Sequence, residues 1–109
     1  MLLTRDDRLT PADHELLRLL ADPLRAQIVS LLAAEQLCTC HLVAATGAGQ
    51  SNVSNHLRAL RTAGVIAAEP AGRFTYYRLL PGPLLSLSTR LATLAAQAAA
   101  STNVKRPCA

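Results

Sequence analysis

Two thiols one residue apart, in Leu37-Cys38-Thr39-Cys40-His41-Leu42, form the densest group of reactive side chains in this 109-residue sequence. The third cysteine, Cys108, stands near the other end of the chain. Thiolates are soft ligands and favour thiophilic ions, whereas imidazole and carboxylate favour zinc, cobalt or nickel. Three is an odd number of cysteines, and two of them are nearly adjacent, which is not the wide pairing of an exported disulfide framework. The spacing therefore points to reduced thiols in a cytoplasm.

A second group follows in Gln50-Ser51-Asn52-Val53-Ser54-Asn55-His56-Leu57-Arg58-Ala59-Leu60-Arg61-Thr62-Ala63-Gly64. At about 100° per residue, Val53, Leu57, Leu60 and Gly64 fall in one narrow sector. Ser51, Asn55, Arg58 and Thr62 lie opposite, with Ser54 beside them. Arg donates twice to guanine, Asn pairs with adenine, and short Ser reaches phosphates without bulk. An ordinary solvated helix face is rich in Lys and Glu, and this helix has neither.

Charge supports the same chemistry. Residues 1–35 carry six acids against four arginines, whereas residues 36–109 carry one acid, Glu69, against seven basic residues. From Gln36 to Ala68 there is no acid. Each carboxylate on a polyanion-binding surface would repel phosphate, so their exclusion is what such a surface requires.

The surrounding elements position both groups. Thr10-Pro11-Ala12-Asp13 reads as a helix start, and Asp22-Pro23 repeats the cap-plus-proline signal. The first helix runs to about Ala21, the second to about Glu35. A short third helix spans Cys40 to Thr46 and ends at Gly47. Gly47-Ala48-Gly49 is then a tight turn into the polar helix, which makes a helix-turn-helix. Val65–Pro70 and Arg73–Leu79 read as a β-hairpin turning at Ala71-Gly72, a wing whose tip residue Arg73 reaches the sugar-phosphate backbone or a minor groove. One or both of Tyr76 and Tyr77 are expected to pack the hairpin on the helices rather than stack on bases. After Pro81-Gly82-Pro83, a last helix from about Leu84 to Ser101 carries leucines, alanines and Arg90 as its only charge. Such a helix is too apolar for a monomer's surface and is expected between two chains.

The fold class is therefore mainly α with a β-hairpin: a dimeric winged helix-turn-helix of four helices, two strands and a fifth helix. Residues 1–101 form this single domain, and residues 102–109 a flexible tail. No apolar run reaches the roughly 20 residues of a membrane span. Arg5, Asp6, Asp7 and Arg8 interrupt any signal peptide.

This order of elements, with Leu37–Leu42, Gln50–Leu57, Leu20-Ala21-Asp22-Pro23-Leu24-Arg25 and Gly72-Arg73-Phe74-Thr75-Tyr76-Tyr77, resembles the ArsR/SmtB metal-responsive repressors from about Asp13 to Ala100. The resemblance implies a homodimer that sits on double-stranded operator DNA and leaves when an inducer binds. It assigns DNA contact to Gln50, Ser51, Ser54, Asn55, His56, Arg58 and Arg73. Family members that sense zinc or nickel use Asp and His on the last helix, which here has neither. The arsenite-sensing branch carries Cys-x-Cys at the start of the third helix, as Cys38 and Cys40 do. The inducer implied is thus As(III) or Sb(III), with no constitutive cofactor.

A trivalent metalloid takes three sulfurs. In one family arrangement the third follows three residues after the second, which here is Val43. The cadmium- and lead-sensing branch draws extra cysteines from an N-terminal arm that here has none. Cys108 remains as the candidate third ligand, brought in by the tail from the same or the opposite chain; the alternative is two-sulfur binding with Cys108 as a bystander. His41 is expected to face solvent or DNA. A Cd(II)- or Pb(II)-responsive repressor and a thiol-redox sensor on the same scaffold are the alternatives. An enzyme is excluded, because thioredoxin-like chemistry uses Cys-x-x-Cys in a βαβ setting, and no triad, phosphate loop or carboxylate pair is present.

Overall fold

The computed structural model describes residues 8–101 and 104–108. The expectations placed on residues 1–7, and on Thr102, Asn103 and Ala109 of the tail, lie outside the described residues.

Helix α1 (Pro11–Leu20) opens on a reciprocal cap. The Asp13 N–H donates to Thr10 Oγ1 at 3.1 Å, and the Thr10 N–H donates to Asp13 Oδ2 at 2.8 Å. Helix α2 (Pro23–Ala34) opens on Asp22, whose carboxylate accepts from the Leu24 and Arg25 N–H groups at 2.9 and 3.1 Å. In both, proline fills the first turn, where its missing N–H leaves no hydrogen bond unmade.

Leu37–Cys38 is a short strand, β1, so helix α3 starts at Thr39 rather than Cys40 and runs Thr39–Thr46. Gly47 ends it at φ +73°, a left-handed conformation that glycine adopts without steric cost. Helix α4 (Gln50–Thr62) follows and buries Val53, Leu57 and Leu60, the sector expected from the sequence. Fully burying one such side chain contributes about 1.5–3 kcal/mol, enough for three of them to fix the rotation of the helix.

Strands β2 (Ile66–Ala71) and β3 (Phe74–Leu79) form the wing; β2 lies one residue later than expected, and β3 starts one residue later and ends at Leu79 as expected. The turn is Gly72-Arg73, with Gly72 at φ +64°. Pro70 is tolerated because β2 is an edge strand and its missing N–H interrupts no second ladder. The sheet has three strands, ordered β1-β3-β2, with Leu37 opposite Tyr77 and Cys38 opposite Tyr76.

Helix α5 spans Pro81–Ala100, three residues longer at its start than expected. Pro81 and Pro83 sit inside the first turn, where backbone N–H groups have no intrahelical partner in any case. Of α5 only Leu87 is buried, while Leu85 is 62% exposed and Leu91 43%. The core is Leu16 and Leu19 of α1, Ile28 and Leu32 of α2, Leu42, the α4 triplet, Val65 and Ile66. Among the described residues, no helix is long and apolar enough to cross a membrane.

Candidate metal centre and nucleic-acid interface

Cys38 ends β1 and is also the N-cap of α3, so two elements fix its position. It is buried, whereas Cys40, in the first turn, is exposed; both are free thiols. Their Sγ atoms stand 2.7 Å apart. Cys38 is held below the usual thiol range, chiefly by the hydrogen bond from Cys40, with backbone N–H groups of the first helical turn assisting against burial. Cys40 is pushed up by that same hydrogen bond, and by its own desolvation and the charge on Cys38. The start of α3 thus favours the thiolate of Cys38 alone, because the first charge formed in so tight a pair opposes the second.

His41, expected to face solvent or DNA, is exposed in the first turn of α3. Its Nδ1 accepts the Cys38 N–H at 3.2 Å and lies 3.2 Å from Cys38 Sγ. Cys38 and His41 thus occupy the N-cap and third helical positions of a capping box, as Thr10 and Asp13 do in α1. The four-residue spacing of Cys38-Thr39-Cys40-His41 was the available signal, hidden by unusual residue types. The His41 ring also lies at a 51° tilt to Tyr76, with centroids 6.1 Å apart. Among the described residues, Cys38, Cys40 and His41 are the group whose ligand atoms fall together, all within 4.8 Å of one another. Cys108 is exposed on the irregular segment beyond α5 and stands outside that group.

The thiols border the polar helix. Cys38 and Cys40 line one wall of a groove of about 300 Å³, with Gln50 of α4 and Arg73 and Phe74 of the wing on the other walls. Gln50, Ser51, Asn55 and Arg58 are exposed and Ser54 half-exposed along α4. Asn55, Arg58 and Thr62 edge a second, open cleft of about 650 Å³ beside Glu15 and Arg18 of α1. His56 stands apart from this set. It is half-buried, with Nε2 3.9 Å from the Asp22 carboxylate that caps α2.

Arg73 is exposed in the turn of the wing. Glu69, the one acid of residues 36–109, is bound by Arg78 at 2.8 Å. Among the described residues, Arg58, Arg61 and Arg73 form no ion pair. The α4–wing face therefore presents unpaired guanidinium groups and no free carboxylate from its own half of the chain. Tyr77 packs against the core, the role expected for it.

Residues 22–68 match the model of the arsR family of bacterial regulatory proteins. The chain is 43% identical over 63 residues to the arsenic resistance transcriptional regulator ArsR1 of Pseudomonas putida, covering 57% of this chain and 49% of that protein. A solved structure of a possible transcriptional regulator for arsenical resistance superposes with a TM-score of 0.65 at 30% identity, covering 82% of this chain and 96% of that one. The homodimeric winged helix-turn-helix DNA-binding domain of Mb0332 from Mycobacterium bovis gives 0.62 at 25% identity, covering 88% of each. The matched stretch spans about half the length of several curated relatives.

Proposed function

The chain belongs to the arsR family of bacterial regulatory proteins, and from that premise we propose that it is a cytoplasmic, homodimeric repressor released from operator DNA by As(III) or Sb(III). Two copies bring two α4 helices and two wings to a near-palindromic duplex. Gln50, Ser51, Ser54, Asn55 and Arg58 read or grip the major groove, with His56 bracing α4 on α2. Arg73 holds the backbone beside it. The exposed leucines of α5, with Leu17 of α1 at 38% exposure, supply the apolar surface that the second copy covers. The relatives named above are regulators, and the proposed activity is binding rather than catalysis.

The observation that carries the inducer reading is the shared groove, in which Cys38 and Cys40 face Gln50 and Arg73. A metalloid clamped by Cys38 and Cys40 displaces the β1–α3 junction, and the neighbouring start of α4 and the wing tip lose their fit to DNA. Cys108 of the same or the partner chain completes a three-sulfur set. Linkage requires DNA to weaken metalloid binding by the same factor, with couplings of about 1–3 kcal/mol per site.

The test uses a duplex selected from random DNA by the protein itself, with release followed by fluorescence anisotropy. Arsenite is expected to release the wild-type chain and not Cys38→Ser. Release of Cys38→Ser at wild-type arsenite concentrations would remove the thiols from the mechanism. A divalent inducer is the second reading, favoured by the imidazole beside the sulfurs.

A further inference from the structure

The His41 Nδ1 accepts from the Cys38 N–H, so a lone pair already points into the thiol corner. One donor atom from each of Cys38, Cys40 and His41 lies within 4.8 Å of the other two. Donors bound to one tetrahedral ion at about 2.0–2.3 Å stand roughly 3–4 Å apart; His41 Nδ1 is already 3.2 Å from Cys38 Sγ, and the two sulfurs, 2.7 Å apart, need only spread slightly. Cys38 closes the corner from inside, while Cys40 and His41 leave it open to an arriving ion.

We infer that His41 is a donor with two positions: it caps α3 while the corner is empty, and it becomes the third ligand beside Cys38 and Cys40 when a divalent d¹⁰ ion such as Cd(II) arrives. This deepens the preceding proposal and rests on its thiolate pair. Two sulfurs and one imidazole suit soft-to-borderline divalent ions, with water or another donor filling a fourth position. The thiol protons pass to solvent as the sulfurs bind. Nδ1 exchanges its bond to the Cys38 N–H for a bond to the ion, which leaves that donor at the start of α3 unsatisfied.

Cys38 is paired through β1 with Tyr76 of the wing and shares the groove with Gln50, so this exchange reaches both parts of the DNA-reading unit. A metalloid that takes only sulfur leaves His41 on its cap. The two inducer classes then use one thiolate pair with different third donors, Cys108 for As(III) and His41 for Cd(II).

His41→Gln separates the roles, because glutamine at the third helical position also accepts the N-cap N–H, whereas its amide is a poor ligand for a soft ion. The full chain is titrated with Cd(II) or arsenite without DNA, read by thiolate-to-metal charge-transfer absorbance. Cd(II) binding by His41→Gln is expected to weaken at least about tenfold, with arsenite binding unchanged; Cys108→Ala is expected to give the opposite pattern. Wild-type Cd(II) affinity in His41→Gln would overturn the inference.

A second readout needs no variant. In ¹⁵N-labelled protein, the His41 Nδ1 resonance is expected to move on Cd(II) addition and to stay in place with arsenite. An unmoved resonance with Cd(II) bound overturns the inference too. DNA release of Cys38→Ser by either ion would instead sink the thiolate reading, which the His41 readouts do not address.

Discussion

At the start of α1, Thr10 and Asp13 exchange backbone hydrogen bonds; at the start of α3, Cys38 and His41 stand in the same two positions. What differs is the second partner of the third-position residue. The Asp13 carboxylate is gripped at both oxygens by Arg90 of α5, through Nε to Oδ2 and through Nη2 to Oδ1, the latter at 2.5 Å. Both of its oxygens are committed, and the carboxylate is buried. His41 holds one backbone N–H at 3.2 Å, beside two free thiols that line an open groove. The first box is closed by charge and ties α1 to α5. The second is made of weaker, exchangeable bonds between thiol and imidazole, side-chain types whose donor atoms suit soft ions. One local motif can therefore serve as a rivet or as a latch, depending on what its side chains meet across the fold.

The sharpest way to break the comparison is to open the rivet. Asp13→Leu leaves the Arg90 guanidinium, 20% exposed, without its partner, and Arg90→Leu leaves a buried carboxylate. Either change is expected to lower Tm by about 5 °C or more, and the double variant to recover part of that loss, because two apolar groups carry no unpaired charge. Thermal melts of the four proteins check this. Melts in which the double variant is the sum of the singles would mean the pair is not coupled.

Acid should open the same rivet in the wild-type protein. Arg90's hydrogen bonds, and then Thr10's, hold the Asp13 carboxyl well below the usual carboxylate range. A depressed folded-state pKa gives a contribution that is complete above the unfolded value, about 3.9, and lost as pH falls below it. The Tm gap between wild type and Arg90→Leu is therefore expected to narrow as pH drops from about 5 towards 3. A gap that widened would contradict the sign.

Smaller effects separate cap from latch. Thr10→Ala is expected to cost about 1 kcal/mol, the worth of a side-chain cap. His41→Gln is expected to change stability by less than about 0.5 kcal/mol, since glutamine restores the acceptor. Chemical denaturation measures both. A His41→Gln loss equal to that of Thr10→Ala would make the α3 box structural and leave its ion-binding role without special support.

The sequence by itself determined the local devices: the caps at Thr10 and Asp22, the glycine end of α3 at Gly47, the apolar sector of α4 and the wing, the last to within a residue. Each depends on side chains within a few positions of one another, where periodicity and capping are legible. It also placed Cys38 and Cys40 beside the polar helix α4. Tertiary structure alone decided that Leu37–Cys38 pairs with Tyr77 and Tyr76, that His56 turns towards Asp22, and that Arg90 meets Asp13 from 77 residues away. It decided too that the His41 ring folds back onto Cys38, although the spacing that allows this was in view. Such contacts depend on how whole faces pack, and no window of a few residues carries the register between elements that close only when the core does.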